Sequence, residues 1–76
     1  MIYQPIHDAI SAQSAILEGR ARVLNDYLRM KADAGDHHGV ADAACDLREI
    51  DAEQRGLAFA RQLLWKTEAA TPSVTP

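Results

Sequence analysis

His38, Asp42, Cys45 and Glu49 follow one another at i, i+4, i+7 and i+11. On a helix that spacing puts an imidazole, a thiol and two carboxylates on one side, and these are the groups that ligate zinc. His37 and His7 are further imidazoles. A single helix face does not bring four ligands to one point, however, and the neighbouring His37 and His38 point about 100° apart. No metal or other cofactor is therefore expected. Cys45 has no base at a catalytic spacing, and its neighbours Asp42, Asp46 and Glu49 offer a sulfur nucleophile only like charge. The chain also carries no Gly-rich phosphate loop, nucleophile elbow or HExxH. It reads as a non-enzyme without a small-molecule substrate.

The remaining polar residues of interest interrupt apolar faces. Gln13 and Arg20 fall within the apolar arc of the first half of the chain, and Gln54 and Arg61 within the main stripe of the second half. Buried polar groups must find partners. Two readings follow: these long side chains reach the rim or bond across a helix pair, fixing register, or Arg20 or Arg61 lies in an open groove and grips an acidic partner. Asp42, Asp46, Glu49 and Glu53 recur every three or four residues along one flank, where like charges at i, i+4 disfavour a helix slightly. They either border a packed seam or form an acidic docking stripe for a basic surface.

The elements that must position these groups are helices. Val40, Ala43, Leu47, Ile50, Leu57 and Leu64 recur at helical intervals, and Cys45, Ala52, Gly56, Phe59 and Leu63 form a second stripe displaced round the same helix. In the first half, Ile6, Ile10, Leu17, Ala21, Leu24 and Leu28 form one stripe, with Ala9, Ile16, Val23, Tyr27 and Met30 beside it. Pro5 suits the first helical position, with Asp8 in the first turn. Gly19, in mid-helix, marks a place for a kink or a close approach. Gly35 suits the C′ position of the first helix and Asp36 the N-cap of the second. The expectation is an all-α antiparallel hairpin over residues 1–68, with helices at about 5–34 and 37–66, a turn at 35–36, and a flexible tail at 69–76.

Size and charge narrow the functional classes. The chain has 76 residues and one cysteine, so it lacks a disulfide and buries only about 60% of its unfolded surface if it folds alone. Each helix carries two apolar stripes, and a lone hairpin leaves one of them in water. A homodimer forming a four-helix bundle is expected. Ala52, Gly56, Ala60, Phe59, Leu63 and Trp65 are the expected contact residues, the first three as a small-residue groove and Trp65 as an aromatic anchor. The formal net charge of −3 and scattered basic residues disfavour nucleic acid. The asymmetry lies in the second half: residues 1–34 balance four acids with four bases, while residues 35–76 carry seven acids and four bases. The start of the chain lacks the pattern of a signal peptide, and no stretch approaches the roughly 20 apolar residues of a membrane span, so a cytoplasmic protein without membrane partners is expected.

The run GDHHGVADAACDLREIDAE, through Asp36, His38, Gly39, Val40, Asp42, Ala43, Asp46, Leu47, Arg48, Glu49 and Ile50, resembles a segment of small helical accessory proteins of tailed bacteriophages. The resemblance spans about a quarter of the chain and carries no catalytic residue with it. It implies an interaction protein that binds and modulates or inhibits a host protein in the bacterial cell. The alternative is a structural or scaffolding subunit of a phage assembly, and a nucleic-acid-binding regulator ranks below both.

Overall fold

The computed structural model describes residues 3–70 as two α-helices, α1 from Gln4 to Asp33 and α2 from His37 to Ala70, packed as an antiparallel hairpin. The fold is all-α.

The turn follows from Gly35 and Asp36. Gly35 takes φ +71°, a left-handed conformation that costs a Cβ-bearing residue energy. Its N–H donates to the Ala32 carbonyl at 3.0 Å, and the Asp36 N–H donates to the Lys31 carbonyl at 2.9 Å. These two bonds satisfy carbonyls that the end of α1 would otherwise leave unpaired, in the Schellman arrangement. Asp36 then begins α2: its Oδ1 accepts the Gly39 N–H at 3.0 Å. That bond, more than the Lys31 ammonium at 3.6 Å, holds the Asp36 carboxyl below its usual range. One residue thus closes α1 and caps α2.

The start of α1 differs from the sequence expectation. Tyr3 occupies the N-cap with no side-chain bond, and its carbonyl accepts from the N–H groups of Ile6 and His7. Because the helix starts at Gln4, Pro5 is its second residue and Asp8 lies just past the first turn, where its Oδ1 accepts from Gln4 Nε2 at 2.8 Å. At the other end α2 runs on to Ala70, four residues beyond the expected limit. Residues 69 and 70 are therefore helical, and residues 71–76 of the expected tail lie outside the described residues. Gly19 leaves α1 unbroken, and a Cβ there would meet no atom within 4 Å.

The seam between the helices keeps a strict alternation of three and four residues. On α1 the buried and half-buried positions include Tyr3, His7, Ile10, Ser14, Leu17, Ala21, Leu24, Leu28 and Lys31. On α2 they include Asp36, Val40, Ala43, Leu47, Ile50, Gln54, Leu57, Arg61, Leu64 and Glu68. This is the a and d spacing of a coiled coil, written abcdefg per seven residues. The expected main stripes form this seam with one exception. Ile6 is 46% exposed, because counting back from Leu17 in fours and threes reaches His7 and not Ile6. Ile10, Leu17, Ala43 and Ile50 are the buried apolar core.

Candidate interaction surface

The heptad positions decide what each side of the hairpin can do. In an antiparallel pair the g positions of the two helices share one side and the e positions the other. The e side is polar on α1, with Gln4, Ser11, Glu18 and Asn25. At the open end of the hairpin this side holds a cavity of about 350 Å³ lined by Gln4, His7, Ser11, Arg61, Trp65 and Glu68. His7 Nε2–H donates to Glu68 Oε1 at 2.9 Å, both side chains being mostly buried. The Trp65 ring stacks on His7 at 5.9 Å between centroids. Arg61 Nη2 donates to Ser11 Oγ at 3.1 Å. The cluster does not join a nucleophile to a base, since His7 bonds Glu68 and Ser11 bonds Arg61. It fastens the two helix ends where the seam has run out of apolar residues.

The g side is different. Here α1 presents Ile16, Val23 and Met30 at c and Arg20 and Tyr27 at g, all exposed. Opposite them α2 presents Asp46 and Glu53 at g and Glu49 at c. The two rows enclose an open groove of about 550 Å³ at mid-length, with Ile16, Val23, Leu24 and Ile50 among its apolar lining and Arg20 facing the three carboxylates. Arg20 makes no ion pair within 4.0 Å among the described residues. The two arginines singled out from the sequence therefore part company: Arg61 bonds across the hairpin, and Arg20 stands in a groove.

The expected contact residues do not form one surface. Leu57 and Leu64 lie in the seam. Ala52 and Phe59, at f, and Gly56 and Leu63, at c, lie on the side of α2 turned away from α1, with Phe59 62% and Leu63 48% exposed. Ala60, at g, is half-buried beside the seam. Trp65, 55% exposed, sits on the e side with His7, nearly opposite Leu63 round the helix. Of the acidic stripe, Asp46, Glu49 and Glu53 line the groove, while Asp42 is paired with His38 at 4.0 Å near the turn, both well exposed. Cys45 is a free, exposed cysteine. Among the described residues no three His, Cys, Asp or Glu side chains converge as metal ligands, and no helix is long and apolar enough to cross a membrane.

Along the sequence the second α1 stripe and the acidic stripe stand far apart. Heptad letters bring them together, because both occupy c and g positions of antiparallel partners. The open-end cluster had no comparable signal, since Ser11 is at e and nothing in its spacing pairs it with Arg61.

Fold and surface define an all-α hairpin of coiled-coil type with uncovered apolar residues on two sides. Comparison of the chain with protein-family models, curated protein sequences and solved structures finds no match in any of the three.

Proposed function

We propose that this protein is a non-enzymatic interaction module that acts by offering helical surface to another protein. The observation that carries this reading is Phe59: it is 62% exposed on the outward side of α2, beside exposed Leu63 and the small residues Ala52 and Gly56, which let another chain approach closely. Burying one large apolar side chain stabilises a complex by about 1.5–3 kcal/mol, and an aromatic ring ringed by small residues is a suitable anchor. The resemblance of the segment around Asp36 to Ile50 makes a bacterial host protein the partner in this reading, with the phage-encoded chain as its modulator.

The test is affinity purification from a bacterial lysate with the wild type, Phe59→Asp and Arg22→Asp side by side. Arg22 lies on the exposed polar side of α1. A stoichiometric protein held by wild type and Arg22→Asp, and lost with Phe59→Asp, supports the reading. Retention by Phe59→Asp would rule out this surface.

A further inference from the structure

The g-side groove is separate from the outward Phe59 patch, and its contents point to one kind of occupant. We infer that the groove docks a basic amphipathic helix of another protein. The apolar face of that helix covers Ile16, Val23 and their neighbours, and its lysine or arginine side chains lie along Asp46, Glu49 and Glu53.

Charge carries the inference. Of the six carboxylates on α2, three have a partner: Asp42 has His38 at 4.0 Å, Asp51 has Arg55 at 2.8 Å and Glu68 has His7 at 2.9 Å. The three without an ion pair among the described residues, Asp46, Glu49 and Glu53, are the three that line the groove. Arg20, the one cation among the lining residues, is unpaired as well. One positive charge against three negative ones leaves the groove with an excess of two negative charges. Glu49 and Glu53 also stand at i, i+4, where like charges oppose the helix that carries them. A partner that brings cations relieves this repulsion and is steered to the groove by it. The same excess turns away nucleic acid and anionic lipid surfaces. It turns away a second copy too, since two facing grooves would oppose six carboxylates to two arginines.

Shape makes the cation-bearing surface a helix. Along α1 the exposed residues Ile16, Arg20, Val23, Tyr27 and Met30 recur at intervals of four, three, four and three. Along α2, Asp42, Asp46, Glu49 and Glu53 recur at four, three and four. Ridges of that period on two antiparallel helices leave a trough between them, and a third helix lays its i, i+3, i+4 and i+7 side chains into such a trough. The stretch from Ile16 to Met30 is about 21 Å long, so a helix of about four turns covers it. Gly19 keeps the trough open at mid-length, since it lines the groove and a Cβ there would meet no atom within 4 Å. Because the α1 wall is mainly apolar and the α2 wall acidic, the docked helix carries its apolar face and its cations on adjoining sides, the cations toward α2.

The probe is a fluorescein-labelled peptide of about three heptads with Leu at a and d, Lys at e and g and Gln elsewhere. Its lysines lie on both flanks, so that it meets the acidic wall in either direction. Two control peptides replace every Lys by Glu or every Leu by Ser. Anisotropy titrations at about 0.15 M salt are expected to show binding of the lysine peptide, binding of the Glu control weaker by about tenfold or more, and no binding of the Ser control. Glu49→Gln combined with Glu53→Gln is expected to weaken the lysine peptide about three- to tenfold, the worth of two exposed ion pairs. Val23→Ser is expected to weaken it about tenfold. These positions are exposed, and helical circular dichroism checks that each variant is folded. Phe59→Asp is expected to leave the affinity unchanged, which separates this test from that of the Phe59 patch.

A lysine peptide that fails to bind at concentrations up to about 1 mM overturns the inference. So does equal binding of the Lys and Glu peptides, retention of the Ser control, or indifference to the paired change at Glu49 and Glu53. Light scattering of the chain alone supplies the last arm: a double mass that Val23→Ser abolishes would put a second copy in the groove and likewise overturn the inference.

Discussion

At the scale of single residues the turn concentrates most of the conformational specificity. Gly35 is held at φ +71° with open space around it, so Gly35→Ala carries only the backbone cost of about 1–2 kcal/mol. Gly19, with equal space but ordinary helical geometry, should respond oppositely: Gly19→Ala is expected to stabilise by up to about 1 kcal/mol through helix propensity. Chemical denaturation of the two variants checks both signs. Gly39 is a third case, because a Cβ there would lie 2.9 Å from Lys31 Cγ and 3.0 Å from Asp36 Oδ2, so the Lys31 stem must move aside. Asp36 adds a pH dependence. Its carboxyl titrates below the ordinary value of 3.8, first because of the Gly39 N–H and then because of Lys31. Folding is therefore favoured by the ionised form above that value, and this contribution is lost as pH falls through the lowered one. Asp36→Asn keeps a cap acceptor without the charge, and a thermal midpoint followed between about pH 5 and 2 should fall less steeply than in the wild type.

At the scale of elements, the hairpin was legible because its punctuation and its period agree. Gly35 and Asp36 mark the only turn among the described residues, and both perform the roles their residue types suit. The main stripes of both helices are the seam, from Ile10 to Leu28 and from Val40 to Leu64. What the sequence did not yield was the period of 3.5 in place of 3.6, which decides residues at the far ends of long helices: it moves Ile6 out of the seam and His7 into it. Trp65 lies away from Leu63 at either period, because residues two apart on a helix point about 200° apart, although both belong to a run that is apolar nearly all round. The open-end bonds were illegible for another reason, since Glu68, Ser11 and Arg61 meet only through the hairpin's register. The prediction at this scale contrasts two aliphatic residues on one helix. Leu17 is fully buried and Ile6 is half exposed, so Leu17→Ala should cost about 2–5 kcal/mol and Ile6→Ala much less. Denaturant midpoints for the two variants read the difference directly.

At the scale of the whole molecule the question is what supports the described residues, 3–70, on a core of four buried apolar side chains, one of them only an alanine. The hairpin turn and the open-end cluster hold the two ends together, but neither covers the row from Ile16 to Met30. If that row receives a partner's helix, the helix binds the folded chain and not the unfolded one, and stability must depend on the partner's concentration. Each tenfold rise above the dissociation constant stabilises the folded chain by about 1.4 kcal/mol, which for a domain of this size moves the thermal midpoint by about 6–11 °C. Scanning calorimetry across two decades of lysine-peptide concentration should show that climb in the wild type. Val23→Ser, which takes an apolar side chain out of the row, should flatten the dependence on the peptide. Arg22→Asp, on the neighbouring exposed turn but outside the row, should leave the slope intact. A wild-type midpoint independent of the peptide would mean that the hairpin stands alone, and the energy missing from its core would then have to come from the seam residues that are only half-buried.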